Sequence, residues 1–225
     1  MIGTPLNGKT VLSVCGGDGE EADFLQRQGA LVTMTELSPV GVGAARVRNS
    51  AVRCMEMDSE MLAFADGSFD WAVVRDGLHH LARPLKGLYE LERVSREGFA
   101  IVEGQDSLLV RLLVHLGFGE NWDDGGGYTY RFSRRELQKL FYSVQTVARW
   151  EMYTTWLPPG SDVMTLLPGI QYVSPVLDNG PFSRILCSNA GRASLKVLFQ
   201  CIETVAGRWG NSLIVVAWKN QNVLP

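Results

Sequence analysis

Thr10-Val11-Leu12-Ser13-Val14-Cys15-Gly16-Gly17-Asp18-Gly19-Glu20-Glu21 opens on a short apolar run, turns on three glycines and leads into a helix-forming segment. The pattern predicts a strand, a tight turn and a helix start. Glycine in such a turn reaches backbone angles closed to other residues and lets a ligand approach the main chain. The free N–H groups of the helix start then face that ligand. Seventeen residues after Gly19, Glu36 closes a second apolar run, 30–35, and an acidic residue there suits a nucleotide ribose. The turn therefore points to a nucleoside-containing cofactor.

Outward from the turn, Gly29 is expected to end the first helix, and Ser38-Pro39 reads as the N-cap and first residue of a second. Gly41 and Gly43 weaken that second helix. Further strands are expected at 51–57, 69–74 and 99–103, with a helix opening at Pro84. Strands that are apolar throughout and alternate with helices imply a parallel sheet covered on both faces. Beyond Glu103, 106–117 reads as a helix with Leu108, Leu109, Leu112, Leu113 and Leu116 on a broad apolar face. Ser133-Arg134-Arg135-Glu136 is a capping-box pattern for a helix to about Tyr142. Strands follow at 144–156 and 212–218. Between them lie a proline-rich stretch that looks like an insertion and an apolar helical stripe, Leu195 to Val205.

The 225 residues suit a single domain, 1–225, with room for a sizeable core. A net charge of −3 offers no footprint for nucleic acid, so none is expected as partner. Four cysteines without CxxC spacing, and no signal sequence, favour reduced thiols and a cytoplasmic setting. Only three histidines and no paired cysteines argue against a metal site. No apolar run approaches the length needed to span a bilayer. The stripe 195–205 suits the core or a contact with a second copy, so a homodimer is compatible.

Two cofactors fit the glycine turn. Residues 17–22 formally match the dinucleotide fingerprint G-x-G-x-x-G/A, which alone is weak. Asp58-Ser59, after the third strand, suits an adenine edge instead, and a dehydrogenase has no need of Asp76-Gly77-Leu78-His79-His80. Here the sequence resembles the class I S-adenosylmethionine-dependent methyltransferases, especially the small-molecule group. The resemblance is carried by VLSVCGGDG (11–19), TELSP (35–39) and MDSEMLAFADGSFDWAVVRDGLHHLARP (57–84), with YRFSRREL (130–137) before the sixth strand.

The resemblance implies a Rossmann-like seven-stranded α/β sheet in the order 3-2-1-4-5-7-6, its last strand antiparallel, with an inserted cap between strands 6 and 7. It implies S-adenosyl-L-methionine as cofactor. Gly17 and Gly19 would pass under its methionine part, with Cys15 and Gly16 also binding the cofactor. Glu36 would hold the ribose hydroxyls, with Leu37 beside it. Asp58 and Ser59 would meet the adenine, and Arg75 and Asp76 the methionine amino and carboxylate end. Two positions depart from the family: its acidic residue in the first strand is Ser13 here, and its first glycine is Cys15. A side chain at Cys15 fits if the backbone there is extended.

His79 and His80 stand where a base would deprotonate an acceptor hydroxyl; the bland alternative is that one packs beneath the cofactor and the other caps the Pro84 helix. Glu103, ending the fifth strand, is an alternative base or a salt-bridged carboxylate. Trp122, Asp123, Tyr128 and Tyr130 suggest a wall for a small-molecule acceptor. Segments 106–130 and 158–194 are expected to cover the acceptor side. Cys15 reads as a packed small residue or, less simply, a reactive thiol. The leading expectation is methyl transfer to a small molecule, at oxygen, in a biosynthetic pathway. A non-catalytic cofactor-binding or scaffold protein, favoured by Ser13 and Cys15, and a nicotinamide-dependent oxidoreductase stay open.

Overall fold

Apolar runs alternate with amphipathic segments over the first hundred residues, and the chain folds accordingly into strands that pair in parallel with helices packed against them. The computed structural model describes residues 6–116, 121–122, 127–155 and 210–220. The strands are β1 (Thr10–Val14), β2 (Leu31–Glu36), β3 (Arg53–Glu56), β4 (Phe69–Arg75), β5 (Ser95–Gly104), β6 (Val147–Thr155) and β7 (Ser212–Lys219). The helices are α1 (Glu20–Arg27), α2 (Pro39–Arg48), α3 (Pro84–Val94), α4 (Leu108–His115) and α5 (Arg134–Ser143). Among the described residues no helix is long and apolar enough to cross a membrane.

The seven strands form one sheet in the order β3-β2-β1-β4-β5-β7-β6. β3, β2, β1, β4 and β5 pair in parallel, with Val14 opposite both Thr35 and Val74. The Gln105 N–H donates to the Asn211 carbonyl, while Gly98 lies against the Ala217 carbonyl. The register thus runs in opposite directions along β5 and β7, which makes β7 antiparallel. The fold and strand order are those the resemblance implies. The connection order reverses between β1 and β4, and ligands of such sheets bind at the carboxyl ends flanking that switch.

The chain divides into two compact units, Met1–Glu103 with Arg134–Met152 and Val215–Pro225, and Gly104–Ser133 with Tyr153–Ile214. In the first unit, Val11, Val32, Met34, Trp71 and Val73 pack with Ala22 and Leu25 of α1 and Val42 and Ala45 of α2. Burying an aliphatic side chain of this kind contributes about 1.5–3 kcal/mol. The loop before β4 is held by one guanidinium. Arg93 of α3 donates to the carbonyls of Leu62 (2.9 Å) and Phe64 (2.8 Å) and to the carboxylates of Glu90 and Asp66.

Several boundaries differ from expectation for local reasons. β3 starts at Arg53, not 51, because Asn49 accepts the Ala51 N–H in a side-chain turn. β6 starts at Val147, not 144, because the end of α5 and a following turn use the 144 and 147 N–H groups. β5 begins at Ser95, directly after α3, with an irregularity opposite Phe69 and Trp71. α4 is shorter than 106–117, since Ser107 is its N-cap and Asp106 pairs with Arg111. Its apolar face is largely open: Leu108, Leu112 and Leu116 are exposed, and Val110 is buried. The stretches 158–194 and 195–205 lie outside the described residues.

Gly41, which weakens α2 by propensity, is there for space. A Cβ at this position would stand 2.9 Å from the Glu36 Cγ and 3.0 Å from the Gly17 carbonyl oxygen. Gly98 is tighter still, with a virtual Cβ 2.2 Å from the Ala217 carbonyl oxygen and 2.8 Å from the Trp71 ring. Neither a backbone carbonyl nor a buried indole yields easily. Gly98→Ala is therefore expected to cost about 2–3 kcal/mol in urea unfolding, and a loss under about 0.5 kcal/mol would show that β5 and β7 have slack.

Candidate cofactor and active site

The glycine turn follows β1 as a chain of close approaches. The Gly16 N–H donates to the Thr35 carbonyl (3.0 Å) and the Gly19 N–H to the Gly16 carbonyl (2.9 Å). Gly17 and Gly19 have φ of 54° and 85°, the left-handed region that favours glycine. At Gly19 a Cβ would meet the Ala45 Cβ at 2.7 Å, so this glycine also lets α1 approach α2. At Gly17 a Cβ would meet nothing within 4 Å, which leaves open space over the turn. Asp18 accepts the Glu20 N–H and pairs with Arg48, placing negative charge at the start of α1, where the helix dipole favours it.

Glu36 fixes this turn to the next helix. Its carboxylate accepts the Gly17 N–H (3.0 Å) and the Ser38 N–H (2.8 Å), and Ser38 in turn caps α2. Leu37 beside it is 64% exposed, a large apolar side chain left open. After β3, Asp58 is exposed and uses one carboxylate oxygen to accept the Glu60 N–H (2.8 Å). Ser59 is buried, and its hydroxyl oxygen accepts the Cys15 thiol at 3.2 Å. An open cradle over Gly17, an acidic pair at the ends of β2 and β3 and an apolar face at Leu37 fit a nucleoside cofactor. The buried Ser13 hydroxyl, where the family has its acidic residue, has no hydrogen-bond partner in the structure.

Cys15 corrects one expectation. Its backbone is left-handed, φ 53°, rather than extended. For a residue with a Cβ this costs roughly 1–2 kcal/mol. Its side chain is received by Gly77, where a Cβ would lie 2.4 Å from the Cys15 Cβ. Burial pushes the thiol up to about 11, with Glu36, Glu103 and Asp58 adding to the rise against the Ser59 hydrogen bond. At neutral pH it is a packed thiol, not a thiolate nucleophile.

The segment after β4 carries the remaining groups. Asp76 is the other non-glycine residue with positive φ, 49°, so the described strain of this kind sits at the ends of β1 and β4, the neighbouring strands at the switch. Arg75 pairs with Asp76 at 3.5 Å. Burial and the nearby Glu103 raise the Asp76 carboxyl, opposed by Arg75 and His79; its side chain is 58% exposed, so water moderates the rise. Glu103 is 2% exposed and accepts the N–H groups of Gly77 (2.9 Å) and Leu78 (2.6 Å) on one oxygen. Its other oxygen meets His79 Nδ1 at 2.7 Å. The His80 ring lies 4.1 Å from that of His79. At the start of α3 the buried Glu60 carboxylate accepts the Arg83 N–H at 2.8 Å.

In the sequence Glu21 reads only as negative charge at a helix start, not as a site residue. On the first turn of α1 its carboxyl is pushed up to about 7 by burial, with Arg75 opposing and Asp76 reinforcing the rise. Its side chain keeps a partly open surface, so solvent moderates that rise too. Its position two residues after the last glycine of the turn was the available signal. Of the aromatic loop, Trp122 and Tyr128 form an antiparallel bridge in the second unit with rings 5.6 Å apart, both exposed, and Tyr130 packs on the buried Phe132. Asp123 lies outside the described residues.

A methyltransferase-domain family model matches residues 12–102. The demethylmenaquinone methyltransferase of Clavibacter sepedonicus is 34% identical over 117 residues, 51% of this chain and 48% of that protein. That of Beutenbergia cavernae is 31% identical over 100 residues, 44% and 42% of the two chains. The chain thus matches about half the length of these relatives. Among solved structures, the YcgJ protein of Bacillus subtilis has a TM-score of 0.62 at 16% identity, covering 97% of this chain and 94% of that one. Magnesium protoporphyrin IX methyltransferase of Synechocystis, solved with S-adenosylhomocysteine, has a TM-score of 0.58 at 16% identity, covering 96% and 76%. These structural likenesses bear on the fold. The family-model match spans β1 through most of β5, the strands that carry the glycine turn, Glu36 and the histidine turn.

Proposed function

We propose that this protein transfers a methyl group from S-adenosylmethionine to a small-molecule acceptor, at oxygen, in a biosynthetic pathway. The observation that carries the reading is the His79–Glu103 pair standing at the same sheet edge as the glycine turn, Glu36 and Asp58. When bound, the cofactor supplies an electrophilic methyl group. The chain's own residues have four tasks. Gly17 and Gly19 let the main chain pass close under the ligand, Glu36 accepts from ribose hydroxyls, Asp58 accepts from the adenine amino group, and Arg75 with Asp76 grips the charged amino-acid end.

Glu103 is fully engaged by two N–H groups and His79, so it suits orientation rather than proton abstraction. With Nδ1–H donated to that carboxylate, His79 presents Nε2 as the basic atom, the arrangement a general base needs. His79 then takes the hydroxyl proton as the acceptor oxygen attacks. Holding the two reactants in line supplies much of the remaining acceleration. The demethylmenaquinone methyltransferases among the relatives support a small-molecule acceptor. One observation favours a second reading, a cofactor-binding protein without catalysis: Ser13 is an unpaired hydroxyl where a carboxylate would help anchor the cofactor.

Glu36→Ala is expected to weaken S-adenosylhomocysteine binding about tenfold or more, as loss of charge-assisted hydrogen bonds implies; unchanged affinity in calorimetry would remove Glu36 from the site. Mass spectrometry of a metabolite extract incubated with labelled cofactor identifies the acceptor. With it, His79→Ala should lower turnover roughly 10²–10⁴-fold, and His80→Ala should cost much less. Equal turnover in wild type and both variants would end the general-base assignment.

A further inference from the structure

The turn that carries the two histidines is gripped at both ends by buried carboxylates. At its start Glu103 accepts the Gly77 and Leu78 N–H groups. At its far end Glu60, whose side chain is 6% exposed, accepts the Arg83 N–H at 2.8 Å and the Arg83 Nε–H at 2.6 Å. Arg83 is the N-cap residue of α3 and supplies no side-chain cap of its own. Glu60 therefore satisfies a donor at a helix start that has few partners within the helix. Burying a carboxylate is costly unless it is paired and hydrogen-bonded. A neutral acceptor would satisfy the same N–H more cheaply, so the charge serves a two-point hold on Arg83.

Glu60 is also tied to the ligand side. Its own N–H donates to Asp58, and its neighbour Ser59 accepts the thiol of Cys15 at the glycine turn. Three consecutive residues thus meet three places: Asp58 is open to solvent, Ser59 meets the turn after β1, and Glu60 the end of the histidine turn. Asp58 and Arg83 are thereby joined through one peptide segment and one buried carboxylate. Such contiguous contacts are what coupling between neighbouring sites needs.

We propose that Glu60 is a positioning residue that transmits occupancy of the crevice at Asp58–Ser59 to the His79–His80 turn, so that binding the nucleoside cofactor fixes the histidines. The inference rests on the cofactor reading above. Amide hydrogen exchange on the full chain, followed by mass spectrometry with and without saturating S-adenosylhomocysteine, tests it. In the wild type the ligand should slow exchange across 15–20 and, by about fivefold or more, across 77–83. Glu60→Ala should abolish the slowing at 77–83 and keep it at 15–20. Glu60→Gln, whose amide oxygen still accepts the Arg83 N–H but whose NH2 cannot accept the Nε–H, should retain about half of it.

Should Glu60→Ala fail to fold, Arg83→Ala removes only the side-chain limb of the hold and should reduce the slowing at 77–83 by about half. Full slowing at 77–83 in Glu60→Ala, or in Arg83→Ala, would overturn the coupling. So would loss of slowing at 15–20 and 77–83 alike in Glu60→Ala, the mark of a merely structural residue. No slowing anywhere in the wild type would overturn the cofactor reading and the coupling with it.

Discussion

The carboxylate of Glu36 accepts the Gly17 N–H from the turn after β1 and the Ser38 N–H from the start of α2. This one group ties the turn after β1 to the end of β2 and the start of α2. Everything around it is shaped to permit the contact: Gly41 has no Cβ to strike Glu36, and Gly19 has none to strike Ala45. The price is a carboxylate held at two backbone donors before any ligand arrives, which preorganises the site in the sense that lowers the cost of binding.

The nucleotide half of the fold was legible because strand and helix periods there agree with the turn chemistry. β2 falls where its apolar run and Glu36 place it, and Ser38-Pro39 starts α2 as a cap and first residue should. Beyond Glu103 the legibility fell. Leucines at helical spacing along 108–116 imply a buried face, yet burial depends on what packs against the helix, and that is a tertiary fact. The start of β6 moved because the end of α5 claimed residues whose composition suits a strand equally well.

The site was legible by type more than by arrangement. Sequence brings Glu103 forward as a base or a paired carboxylate, and only geometry separates the two, through its two N–H donors and His79. Glu60 lies 23 residues from Arg83, and no local pattern announces that bond. Cys15 shows a further limit. A cysteine in place of a turn glycine reads as a substitution to be accommodated by an extended backbone, whereas the chain keeps the left-handed turn and makes room at Gly77 instead. A pairwise exchange of that kind, 62 positions apart, is invisible until the strand ends are side by side.

The central claim is that the turn after β1 is a site for S-adenosylmethionine. Isothermal titration calorimetry of the full chain with S-adenosylmethionine, S-adenosylhomocysteine and NAD tests it most directly. The account predicts one-to-one binding of the two sulfur-containing nucleosides and no heat with NAD. Binding of NAD alone, or of none of the three, would contradict it.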